Sequence, residues 1–158
     1  MKKNHKEKGF SLIELLVVVI IIGVIAAIAI PSLLASKRAA NEASAIQSVR
    51  AIHNANITYH VTTGANVNYA TLTQLSGGGL LDPTFTGASL VKSGYTIAES
   101  VSAPPTGYCA TAVPTTAGSG TRHFGVNQSG VIYQTNVAAE ITCAAGVFGT
   151  SGSAAPIQ

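Results

Sequence analysis

Apolar and polar positions divide this chain into three stretches. Residues 1–9, MKKNHKEKG, are polar and basic, with little that forms regular structure. From Leu15 to Ser36 no side chain carries a charge, and Leu15–Ile30 is almost wholly apolar. About 20 helical residues cross a bilayer core, so residues 10–34 predict a single membrane-spanning helix. The helical signal continues past that span. From Ser32 to His60 there is no glycine and no proline, and alanine is frequent. Ala39, Ala43, Ile46, Val49, Ile52, Asn56 and Tyr59 recur at spacings of three or four, with Glu42, Arg50 and His53 off that stripe. One helix is therefore expected from Phe10 to His60, amphipathic over 35–62. Pro31 is its one internal proline and Gly23 a weak point. The outer half needs a surface to pack on, and the rest of the chain must supply it.

Beyond Thr62-Thr63-Gly64 the periodicity changes. Thr71 and Gln74 have the spacing of a capping box, ahead of a Gly77-Gly78-Gly79 break. Gly94–Val101, Tyr108–Val113 and Arg122–Val126 alternate or run in β-formers. Val131–Thr135 follows the turn Asn127-Gln128-Ser129-Gly130, which predicts a hairpin. The tail from Gly149 is rich in Gly, Ser and Ala, with little to hold it in place. The class expected is α+β, with residues 63–158 making a small antiparallel head for the helix.

Charge sharpens this picture. The formal net charge is +3, and Lys2, Lys3, Lys6 and Lys8 against Glu7 account for all of it. The remainder is neutral, so no specific nucleic-acid surface is expected. Cys109 and Cys143 are either a disulfide, which an exported chain favours, or two buried thiols. His53 and His60 lie seven apart, too far for an i,i+4 metal site. No nucleophile elbow, phosphate loop or zinc-protease motif occurs, and the acids after Glu14 are too scattered for a carboxylate pair or calcium cage. No catalytic residue, metal or cofactor is expected.

Ala27-Ile28-Ala29 would suit ordinary signal cleavage. Against that reading stand Glu14, an acid at the start of the apolar run, and the helix that continues past Ala29. The polar-to-apolar boundary lies at Gly9/Phe10, ahead of the hydrophobic core. A cut there would leave the apolar helix on the mature chain and place a new α-amine on Phe10, four residues from Glu14.

Gly9-Phe10-Ser11-Leu12-Ile13-Glu14, followed by a long apolar helix, resembles the prepilin signal of type IV pilins and pseudopilins. The short Lys-rich leader is similar to that of the type IVa branch. The resemblance implies cleavage after Gly9 and N-methylation of Phe10 by a prepilin peptidase/methyltransferase, with Glu14 as the acid needed for assembly. It implies a ladle-shaped subunit, held in the inner membrane as a precursor and passed by an assembly platform into a homopolymer. It also implies that the two cysteines close a C-terminal loop. In assembled members of that family the stretch matching Gly23–Pro31 is locally unwound, so it melts on polymerisation or is a static kink here. A fibre-forming pilin on the cell surface is the favoured reading, because residues 115–158 hold one acid, Glu140, where major pseudopilins carry an acidic calcium loop. The alternatives are a pseudopilin of type II secretion or a minor pilin and, more remotely, a monomeric membrane-anchored or secreted protein.

Overall fold

The computed structural model describes residues 9–157, with the Ala138 side chain outside that description. Residues 1–8, the bulk of the basic leader, lie outside the described residues. The chain forms two units, one ending at Ser36 and the other starting at Lys37.

One helix, α1 (Leu12–Thr62), supplies 51 residues and runs through Pro31 as α-helix. Proline removes a single bond to the Ala27 carbonyl, and the helix formers on both sides keep the turns around it. Within the second unit, α1 buries Glu42, Ala45, Ser48, Val49, Ile52, Ala55 and Asn56. That face is rotated from the expected one. Ala39 and Ala43 are exposed, whereas Glu42, which the apolar periodicity placed off the stripe, is buried. The cause is a partner in the loop that leads into the strand His123–Asn127. Arg122 Nε and Nη2 each lie 2.7 Å from Glu42 Oε2. Oε1 accepts the Thr121 and Arg122 backbone N–H groups and the Thr121 hydroxyl.

The head follows in chain order as α2 (Leu72–Gly77), β1 (Ser89–Lys92), β2 (Tyr95–Val101), β3 (Tyr108–Pro114), β4 (His123–Asn127), β5 (Ile132–Thr135), a 3₁₀ turn (Ala138–Glu140), β6 (Ile141–Ala144), β7 (Val147–Thr150) and β8 (Ala155–Pro156). The Thr71/Gln74 capping box is present at the start of α2. Six strands form an antiparallel sheet in the order β1-β2-β3-β4-β5-β8, and β6-β7 is a separate hairpin. Alternation along the strands sends Tyr95, Ile97, Ala110, Ala112, Phe124 and Val126 into one core with Val49 and Ile52 of α1 and Leu72 and Leu75 of α2.

The opposite face of the sheet is covered by the β6-β7 hairpin. A Cβ on Gly125 of β4 would collide with Ile141 and Phe148, so only glycine lets the hairpin approach. Tyr133 and Phe148 rings lie 5.6 Å apart across the same contact. β1, β6, β7 and β8 carry weaker sequence signals than the four expected strands, being short and rich in small residues. The tail expected to be loose is instead tied down. Ile157 N–H donates to the Ile132 carbonyl at 2.8 Å, and Ser153 Oγ donates to Glu140 at 2.7 Å.

Glu42 is an acid on α1 that ties the start of β4 to the helix. Burial alone would raise its pKa, but the Thr121 N–H and the Arg122 guanidinium outweigh that and hold the carboxyl below its ordinary value. The stabilisation it brings is present above the ordinary carboxylate pKa and disappears as pH falls through the depressed one. Arg122→Ala should cost about 2–3 kcal/mol, because it strands a buried carboxylate that keeps only its backbone and hydroxyl donors. Denaturant melts of the mature chain in detergent should show that loss at neutral pH, shrinking on acidification.

Candidate functional site

Physical demand on this protein concentrates at the start of α1. Phe10 precedes the first helical residue and is 84% exposed. The Leu15 N–H donates to the Ser11 carbonyl at 3.2 Å, closing the first turn, in which Glu14 lies. Phe10, Glu14, Leu15 and Val18 line one face of the helix around a shallow groove of about 230 Å³. The carboxylate therefore sits among apolar side chains, one helical turn from Phe10. Every large apolar residue from Leu12 to Leu34 is about half exposed or more, and α1 is long and apolar enough to cross a membrane. A helix apolar on all sides is stable in lipid or against other helices, and not in water.

Two glycines here have no packing role among the described residues. A Cβ on Gly9 or on Gly23 would meet nothing within 4 Å. Gly9 thus meets no packing constraint among the described residues, and Gly23 lowers helix stability with no compensating contact there.

Cys109 on β3 and Cys143 on β6 form a disulfide. It joins the β6-β7 hairpin to the sheet face that the hairpin covers, close to the hydrogen bond from Gly146 N–H to Ser100 Oγ at 3.1 Å. Glu140, in the turn that leads into β6, accepts hydroxyl bonds from Thr135 at 2.5 Å and Ser153 at 2.7 Å. Those two hydroxyls hold its carboxyl below the ordinary carboxylate range. Among the described residues no three His, Cys, Asp or Glu side chains cluster as metal ligands would.

Of the residues singled out from sequence, Phe10 and Glu14 come together at one helix end, and Cys109 and Cys143 come together in the head. Gly23 and Pro31 lie inside unbroken helix. The Glu42 tie to Arg122 went unread, because a buried acid leaves no trace in a hydrophobic period. The disulfide closes a segment spanning 34 positions, worth about 3–4 kcal/mol through the unfolded chain. Cys143→Ser should lower the denaturation midpoint by that equivalent in a non-reducing melt, while leaving the N-terminal mass of the mature chain unchanged.

Comparison with known proteins bears on the same end of the chain. Residues 4–30 match the prokaryotic N-terminal methylation motif. The chain is 42% identical over 55 residues to type II secretion system core protein G of Vibrio cholerae serotype O1, covering 35% of this chain and 38% of that protein. It is 38% identical over 55 residues to the protein of the same name from Escherichia coli strain K12, with the same shares covered. To that from Dickeya chrysanthemi it is 30% identical over 81 residues, 51% of each chain. The similarity thus spans between about a third and a half of these relatives. No solved structure matches. With a prepilin methylation motif, a homologous N-terminal segment and a long helix packed on an antiparallel sheet, the chain is similar to members of the pilin and pseudopilin superfamily.

Proposed function

We propose that this chain is a structural subunit that polymerises through its apolar helix, and that the filament it builds is a type II secretion pseudopilus. The carrying observation is the similarity to core protein G, which in the Dickeya chrysanthemi relative extends over 81 residues. It favours the pseudopilin alternative over the surface pilus first expected, and a filament that stays within the cell envelope over an extracellular one. The second reading, an extracellular type IV pilus, has its own support in the C-terminal loop. That loop is closed by Cys109–Cys143, and its acid Glu140 is already taken by Thr135 and Ser153. A deletion strain decides between them. Loss of protein secretion without loss of surface filaments supports the pseudopilus. Surface filaments labelled by antibody to this chain support the pilus.

Both readings share one route. The precursor sits in the inner membrane through residues 10–34, while the amphipathic stretch 35–62 and the head 63–158 lie beyond it. A prepilin peptidase cuts after Gly9 and N-methylates Phe10, and an assembly platform then draws the subunit into a homopolymer. Support for the cut comes from Gly9 itself, whose missing side chain serves no packing among the described residues. The peptidase is what needs it. Gly9→Val should abolish cleavage, and intact mass should find the wild-type mature chain starting at a methylated Phe10. A mature start after Ala29 would sink this proposal.

Glu14 has the role of a register key. A carboxylate drawn to a bilayer centre costs about 2.5–3.5 kcal/mol, so a subunit that keeps one there needs a cation for it. The Phe10 amine freed by cleavage is the nearest. Among bundled helices only one axial stagger pairs it with Glu14 of a neighbouring subunit. Such a pair selects geometry more than it adds stability. Glu14→Leu should be cut and remain in the membrane at near-normal abundance, yet give no filaments by electron microscopy. Gly23 and Pro31 suit local unwinding of the same helix as it leaves lipid, since neither is held in place by packing at Gly23 or by an N–H at Pro31.

A further inference from the structure

The segment that leads into α2 is held by two buried polar side chains. Asn56 of α1 accepts the Ala70 N–H through Oδ1 at 3.0 Å, and Glu99 of β2 accepts the Leu72 N–H through Oε2 at 3.3 Å. Asn56 is fully buried and Glu99 is 8% exposed. Neither is satisfied, for Asn56 Nδ2 and Glu99 Oε1 have no hydrogen-bond partner. An ionised carboxylate can take about four donors, and one backbone N–H is a poor substitute for water.

No cation offsets this. Among the described residues the ion pair is Arg122–Glu42, at a different place on α1. Tyr108 of β3 lies within electrostatic reach of Glu99 and of Tyr69, which precedes the segment. The two tyrosine rings lie 4.9 Å apart, and the Glu99 charge helps burial push the Tyr108 hydroxyl well above its ordinary value. From α1, His53 Nδ1 lies 2.6 Å from the Tyr108 hydroxyl, and burial lowers its pKa. His60 of α1 stacks on Tyr69 at 4.5 Å between ring centroids. Just ahead of β1, the Ala88 carbonyl accepts the Glu99 backbone N–H at 3.1 Å.

We propose that Glu99 is a proton-operated latch on the segment Ala70–Gly77. With a proton, the side chain is a neutral group that still accepts the Leu72 N–H, and the segment stays docked over the sheet. Without it, an unpaired buried charge is relieved only when water enters, and the segment must lift to admit it. Burial pushes the Glu99 carboxyl up to about 7, opposed in part by the Leu72 N–H, which places the change near neutrality. The sign follows from linkage. The docked segment is most stable below the ordinary carboxylate pKa, and that stability is lost as pH rises through about 7. This latch does not depend on which filament the subunit builds.

Hydrogen exchange by mass spectrometry on the full mature chain in detergent micelles, disulfide intact, tests it between about pH 5.5 and about pH 8.5. After division by intrinsic rates, amides of residues 72–77 should exchange roughly tenfold or more faster at the higher pH, while those of β3 stay unchanged. Glu99→Gln, which mimics the protonated acid, should abolish the difference. Unchanged exchange in the wild type, or an equal response in Glu99→Gln, would overturn the latch. A carbon-13 titration of the wild-type Glu99 carboxyl keeps the test open if that variant does not fold. A midpoint near 7 supports the latch, and one in the ordinary carboxylate range refutes it.

Discussion

Between Leu12 and Leu34 the large apolar side chains of α1 lie exposed among the described residues. Water around that surface is the dominant unfavourable term for the isolated subunit, and lipid or other helices are the two environments that remove it. The remaining features serve that constraint. A disulfide ties the β6-β7 hairpin to the sheet of the head, and Glu14 places one acid in the first turn of the apolar helix. Apolar burial is non-directional, so a bundle of such helices needs a polar group to choose its stagger.

Much of this was legible in the sequence, for physical reasons that differ by element. The apolar span and its acid are local facts, carried by hydropathy and one charge, and they survive in any fold. Four of the strands and the Thr71/Gln74 cap came from alternation and turn chemistry, which are also local. The face of α1 did not. Its apolar residues are mostly alanines, which distinguish inside from outside weakly, and Glu42 turned the helix toward Arg122. A partner 80 positions away has no periodicity to announce it. The tail failed for a related reason. Gly, Ser and Ala give little burial, but backbone pairing with β5 and the Ser153–Glu140 bond hold it without large side chains.

The head shows how few large side chains such a domain needs. Its core relies on Tyr95, Tyr108, Phe124, Ile52, Leu72 and Leu75, all fully buried, with many alanines between them. The Tyr95 hydroxyl donates to the Arg122 carbonyl at 2.9 Å, and burial together with the Glu42 charge pushes it up to about 12. Polar tips at the periphery of the core therefore tie the same few loops that the ion pair ties. In a small core this matters, since a domain of this kind has only a few kcal/mol of net stability to distribute.

The two outermost strands of the six-stranded sheet carry a consequence for crowding. One, β1, is four residues long and ends in Lys92; the other, β8, is two residues long and contains Pro156. A short strand, a lysine and a proline that lacks an N–H all make poor templates for another chain. In the proposed filament, heads packed side by side present backbone edges to one another. With these edges blunted, stacking of heads into cross-β material is disfavoured.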